Sequence, residues 1–240
     1  MKKLCIVLAA LLVSAAVVSA QDREINLDKI EDLNKREITK PGSNVKVDLA
    51  VAFPMYFGWT AWNNSNSAFN TRTGKNFVYG LEIAGVHFKS ANGGPLDVSL
   101  GLRWTFMDFT FSDPTYTLRR YEGYGYGLYS IKQENDAYDF NKSKFHASYF
   151  GIPLRVKLNF GHAAVFAGAS AELLTSGYTK YKHPNGRMQI KDAFNPFRAS
   201  IEAGFMYGII GVYVQYGLTP VLKDLETNAR TLTFGLVLGL

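Results

Sequence analysis

The alternation of side chains along Arg230–Leu240 constrains this chain more than any other feature. Leu232, Phe234, Leu236, Leu238 and Leu240 are separated by Thr231, Thr233, Gly235, Val237 and Gly239. Successive residues of a strand point to opposite faces, so one face of this segment is large and apolar while the other is small or mildly polar. A strand with lipid on one side and a narrow packed interior on the other has this pattern. Seven upstream segments repeat it: Val45–Met55, Asn76–Phe88, Pro95–Met107, Lys144–Phe160, Ala163–Thr175, Phe197–Tyr207 and Ile210–Leu218. Most approach the roughly 9–11 residues that cross a bilayer at a tilt.

The spacing between these segments carries independent information. A long connection follows the first strand, then a turn through Ala91-Asn92-Gly93-Gly94, then the long stretch Asp108–Ser143. A tight Gly161-His162 turn comes next, then Ser176–Pro196, a turn near Gly208, and Thr219–Ala229. Long and short connections alternate throughout, which is the order of an up-and-down meander. The predicted fold is therefore all-β: an eight-stranded antiparallel up-and-down transmembrane β-barrel over residues 45–240, with short periplasmic turns and long extracellular loops.

The chain begins with Lys2 and Lys3, an apolar run from Leu4 to about Val18, and Val18-Ser19-Ala20. A basic, then apolar, then small-residue pattern of this kind reads as a cleaved secretory signal over residues 1–20. Loss of that segment would remove Cys5, the single cysteine, and would lower the net charge of +6 to +4 by taking away Lys2 and Lys3. Disulfide and thiol chemistry are then excluded, and an exported chain is not expected to meet nucleic acid. Residues 21–44 are charged, with Ile25, Leu27, Ile30 and Leu33 spaced as on one helix face. They read as a periplasmic N-terminal arm or short amphipathic helix ending at Pro41-Gly42. The whole implies an outer membrane of a Gram-negative cell, with outer-membrane lipid as an obligatory partner and lipid headgroups at the rims.

The inward faces of the strands carry Lys46, Asp48, Glu82, Asp97, Arg103, Arg155, Lys157, Glu172, Arg198 and Glu202: five cations and five anions. Opposite charges in a narrow interior pair and so avoid the cost of isolated buried ions. Eight strands enclose just enough space for side chains. The expectation is a lumen plugged by a charge network. Pro153 lacks the amide proton that a ladder requires, so a bulge or local break is expected there.

Residues Ser148-Tyr149-Phe150-Gly151-Ile152-Pro153-Leu154-Arg155-Val156-Lys157 resemble the PorT-type outer-membrane β-barrel family of Bacteroidota. That family's phrase is Tyr-x-x-Ile-Pro-Leu-x-x-Lys entering a strand before a tight turn, matched here by Tyr149, Ile152, Pro153, Leu154 and Lys157. The resemblance implies an outer-membrane barrel of varied role in the cell envelope, one branch of which takes part in protein secretion.

Candidate chemistry is sparse. His87, His146, His162 and His183 show no metal-ligand spacing, and neither a metal nor a cofactor is expected. His146 and Ser148 share a strand face as a base and a nucleophile would, similar to the His-x-Ser of outer-membrane lipid A deacylases. The matching acid a dozen residues on is missing, and the expectation is a non-enzymatic protein. Tyr121, Tyr124, Tyr126 and Tyr129 in the longest loop, with Trp59 and Trp62 assigned to the first loop, are candidate contact residues for a partner protein or glycan. An aromatic girdle, or a β-extension of the third and fourth strands above the membrane, is the alternative for both sets. The function expected is a structural or partner-docking role with other envelope or secretion proteins. A small-solute channel and a lipid A-modifying enzyme using His146 and Ser148 are the alternatives.

Overall fold

The computed structural model describes residues 36–37, 45–50, 53–63, 70–90, 92–121, 125–130, 141–182, 185–223 and 229–240. The chain divides into Met1–Arg36 and Glu37–Leu240, and the barrel belongs to the second unit. The expected signal segment lies outside the described residues, as does the arm apart from the two-residue strand β1 (Arg36–Glu37).

The remaining strands are β2 (Val45–Ala50), β3 (Met55–Asn63), β4 (Phe77–Ser90), β5 (Leu96–Thr110), β6 (Tyr116–Tyr121), β7 (Gly125–Ser130), β8 (Lys142–Phe160), β9 (Ala163–Lys182), β10 (Gly186–Gln189), β11 (Phe197–Tyr207), β12 (Ile210–Gly217) and β13 (Arg230–Leu238). Both β2 and β3 pair with β4, so they are two halves of one wall strand, with Phe53 and Pro54 outside the strand between them. Around the wall the order is β3-β4-β5-β8-β9-β11-β12-β13, every pair antiparallel, and β13 pairs back to β3 through Leu232↔Ala61, Phe234↔Trp59 and Leu236↔Phe57. This is a closed eight-stranded antiparallel barrel. The alternation read in the terminal segment is realised as geometry: Phe234 is 59% and Leu236 46% exposed on the outside, while Thr231, Thr233 and Val237 are buried inside.

The strands joined by tight turns meet at one end. Gly161 (φ 68°) and Gly208 (φ 59°) adopt left-handed backbone conformations that glycine reaches without a steric penalty. At the opposite end several strands extend well past the expected limits. β9 continues to Lys182 and pairs with β10, and the long stretch after β5 folds partly into the hairpin β6–β7. That hairpin is pinned to β9 by a 2.7 Å hydrogen bond between the Thr117 and Thr179 hydroxyls, and its Leu118 is fully buried. The first wall strand also runs further than the sequence suggested. Trp59 and Trp62 lie on β3 and not in a loop.

At Pro153 the structure shows one of the two outcomes that its missing amide proton implies. β8 passes through it without a register shift, and it pairs with Ser170 of β9. On the other side the β5–β8 ladder runs to Leu100↔Leu154 and resumes at Arg103↔Gly151, leaving a gap opposite Ile152 and Pro153. The wall thus has a local break here and no bulge. Register irregularities lie elsewhere, between Ser148 and Tyr149 against β9, and between Glu82 and Ala84 of β4 against β5. Because the second of these flips the facing of β4, His87 points inward although it lies five residues from Glu82.

Strand glycines make room inside the barrel. A Cβ on Gly151 would sit 2.2 Å from the Ala171 carbonyl oxygen and 2.7 Å from Glu172 Cγ, and one on Gly168 would lie 2.8 Å from Arg155 Cγ. Gly151→Val should therefore destabilise the barrel by about 1–3 kcal/mol, the usual cost of overpacking. A lowered urea midpoint for the variant folded into lipid vesicles checks this, and an unchanged midpoint contradicts it.

Candidate functional site

The interior is built from charged side chains on strands that are far apart in sequence. Arg103 (β5) donates through Nη1 to Glu202 Oε2 at 2.8 Å and through Nε to Glu172 Oε1 at 3.3 Å. Arg155 (β8) donates to Glu82 Oε2 at 2.9 Å and also bonds Glu202. Arg198 (β11) bonds Glu172 of its neighbour β9 and donates to Gln215 Oε1 at 2.9 Å. Gln215 then donates to Glu202 Oε2 at 3.3 Å, which closes a ring through Glu202, Arg103, Glu172 and Arg198. Thr105 adds a 2.7 Å bond to Glu172. Three guanidinium groups face three carboxylates, and all are buried. Tyr56 of β3 presents its ring to two of the cations, 5.4 Å from Arg103 and 5.1 Å from Arg155. Arg103 Nη2 and Arg198 Nε find no hydrogen-bond partner among the described residues. Charge balance, more than complete hydrogen bonding, holds the ring.

Six of the ten residues expected in the lumen network belong to this ring and its Glu82–Arg155 arm. The other four lie toward the short-turn end. Asp97 accepts from His87 at 3.1 Å and lies 3.8 Å from Lys157, and Asp48 pairs at 3.1 Å with Lys89 at a largely exposed site. Lys46 is half-buried on β2. Sequence reasoning missed Tyr56, Thr105, Gln215 and Lys89. Gln215 and Thr105 sit at inward positions of their strands and were legible by parity, but they carry no charge to draw attention.

Apolar packing seals the ring from the long-loop end. Trp62, Met107, Phe109, Leu118, Phe145, Tyr149, Ile190 and Phe194 form one cluster there, with Trp62 stacked on Phe109 at 4.6 Å. Beside the ring itself, the void next to Tyr56, Arg103 and Gln215 is about 10 Å³, room for no more than about one water. Toward the short turns the lumen opens into a cavity of about 250 Å³ lined in part by His87, Asp97, Arg155 and Lys157.

On the outer face, His146 Nδ1 donates to Asp108 Oδ1 at 2.8 Å, and its ring stacks on Tyr178 at 4.7 Å. The acid that sequence spacing did not supply thus comes from the paired position on β5. Ser148, however, is engaged by Thr175. Thr175 Oγ1 donates to the Ser148 carbonyl at 2.9 Å, so the 2.7 Å hydroxyl contact between them is donated by Ser148. Base and nucleophile share a face without forming a bonded pair. Among the described residues no group of three or more His, Cys, Asp or Glu gathers as metal ligands.

Trp59 stands on the exterior, 48% exposed, beside Phe57 and Phe77. Trp62 is taken up by the apolar cap. The backbones of Tyr121, Tyr126 and Tyr129 lie in the β6–β7 hairpin, while their side chains, the whole of Tyr124 and His183 fall outside the described residues.

No family model matches this chain, and no curated protein matches it. Among solved structures, a triple mutant of a Rhodopseudomonas blastica porin aligns over 81% of this chain and 100% of its own at 9% identity, with a TM-score of 0.16, a value too low to carry an argument. The closed eight-stranded barrel fits an outer-membrane barrel protein on its own geometry.

Removing one partner of a buried ion pair strands the other, at a typical cost of about 3–5 kcal/mol. Glu172→Gln should lower barrel stability by that order, because it leaves Arg103 and Arg198 short of an anion. Arg198→Met combined with Glu172→Leu should recover much of the loss. Urea unfolding of both variants in vesicles tests the ring, and a neutral Glu172→Gln contradicts its role.

Proposed function

We propose that this chain is an exported, non-enzymatic outer-membrane β-barrel whose lumen is filled by side chains. It acts in the envelope as a structural element or as a docking platform presented by its long-loop end. The observation that carries this reading is the sealed interior: a balanced Arg–Glu ring, an apolar cap above it and a void of about 10 Å³ between ring and wall. A belt of bulky side chains outside, among them Trp59, Tyr79, Trp104 and Leu236, is what lipid requires. Membership in the PorT-type family of Bacteroidota is part of this proposal, supported by the Tyr149–Lys157 phrase falling on β8 and entering the Gly161 turn.

A small-solute channel is disfavoured by the filled cross-section at the ring. Lipid A modification by His146 and Ser148 is disfavoured because the serine proton is committed to Thr175. The docking reading draws support from the β6–β7 hairpin, which is held above the barrel by Thr117 and Leu118 and so offers an ordered platform.

The purified protein should be β-rich and require detergent. In planar bilayers it should produce no discrete single-channel openings at moderate voltage, and stable openings would favour the channel. Lipid A from cells making the wild-type protein should match lipid A from cells making His146→Ala, while loss of an acyl chain in the wild type alone would establish an enzyme. Crosslinking in intact cells should capture an envelope protein through the long-loop end.

A further inference from the structure

The long-loop end carries a cationic surface that neither the lumen nor the proposed envelope role uses. Lys142 and Lys144 of β8 alternate with Ser143 and Phe145, both fully buried toward the inside, so the lysines face outward. Lys180 and Lys182 of β9 flank Tyr181 and follow buried Thr179 in the same manner. The ladders set Lys142 directly opposite Lys182 and Lys144 opposite Lys180, and on the far side of β9 they set Arg187 of β10 opposite Lys180. Two rows result, Lys144–Lys180–Arg187 and, one pleat higher, Lys142–Lys182.

Like charges directly opposite each other on a sheet repel. Among the described residues Asp108 is the one carboxylate that meets this group, pairing with Lys144 at 3.3 Å while also holding His146. Lys142, Lys180, Lys182 and Arg187 have no ion-pair partner there. The cluster stands on the face that is apolar lower down, with Leu154, Phe150, Trp104 and Phe106 beneath it. Just below the lysines come the His146–Tyr178 stack and the Arg187 guanidinium 4.0 Å over the Tyr178 ring. Aromatic rings of this type mark the membrane–water boundary, so the five cations lie at headgroup level and project toward lipid.

We propose that the outer face of β8, β9 and β10 is a docking surface for the phosphate-bearing headgroup of an outer-leaflet lipid, with Lys142, Lys144, Lys180, Lys182 and Arg187 as its ligands. The inference rests on the reading of the chain as an outer-membrane barrel with its long loops outward. An anion shared among these side chains removes the repulsion that the ladder registers build in, and each lysine near an anionic surface contributes roughly fivefold in affinity.

The test uses the full-length mature barrel in a non-ionic detergent, with lipid A and its enzymatically dephosphorylated form as probes and native mass spectrometry as the readout. Circular dichroism and heat-dependent gel mobility first establish the barrel; their failure for the wild type would remove the membrane-barrel reading itself. With the barrel intact, lipid A adducts should be retained by the wild type and weakened at least tenfold by Lys142→Gln with Lys144→Gln, Lys180→Gln and Lys182→Gln. Dephosphorylation should weaken wild-type binding to a similar degree, an arm that needs no variant to fold. Equal binding of the phosphorylated and dephosphorylated lipid overturns the inference and leaves the barrel reading standing. So does equal binding by the wild type and a folded variant.

Discussion

Everything in this molecule depends on closure of the backbone ladder. In hydrocarbon there is no water to satisfy a stray amide or carbonyl, and each unsatisfied group costs several kcal/mol. The pairing of β13 with β3, from Arg230↔Asn63 to Leu238↔Met55, removes the two edges that an open eight-stranded sheet would expose. Once the wall is a cylinder, alternation sorts the side chains without further instruction: every second residue meets lipid and its neighbours meet one another.

The sorted interior must then solve a charge problem. Six ionisable groups stand on β4, β5, β8, β9 and β11, and none is stable in a dry lumen alone. The solution is mutual. Each guanidinium serves two acceptors, and Glu202 and Glu172 each serve two cations, so Arg198 reaches Glu202 only through Gln215. The same arrangement blocks the lumen. A wide aqueous pore would weaken these attractions by raising the local dielectric, so sealing and pairing support each other.

Much of this was legible in the sequence because strand periodicity is a two-state code. Glu82, Arg103, Arg155, Glu172, Arg198 and Glu202 were placed inside by parity alone, and the limits of β11 follow from its sequence pattern directly. What parity could not supply was register. That Asp108 lies opposite His146, or that Thr175 occupies the bulge beside Ser148 and takes its hydroxyl, depends on which residues of adjacent strands meet. Trp59 and Trp62 were assigned to a loop because the first strand was ended at Met55, whereas β3 runs from Met55 to Asn63 and pairs with β4. The strand extensions beyond the membrane band lack the lipid-facing signal, since neither face of Lys142–His146 or Ser176–Lys182 is uniformly apolar.

The interrupted ladder opposite Pro153 has a mechanical consequence. β5 and β8 lose their pairing at Ile152 and Pro153, which makes this seam the natural place for the wall to part under strain. Arg103 projects from β5 just on one side of the gap and Arg155 from β8 just on the other, and both grip the same carboxylate, Glu202 on β11. That carboxylate acts as a tie rod across the bore, fastening the two lips of the seam where proline denies them a stitch of their own.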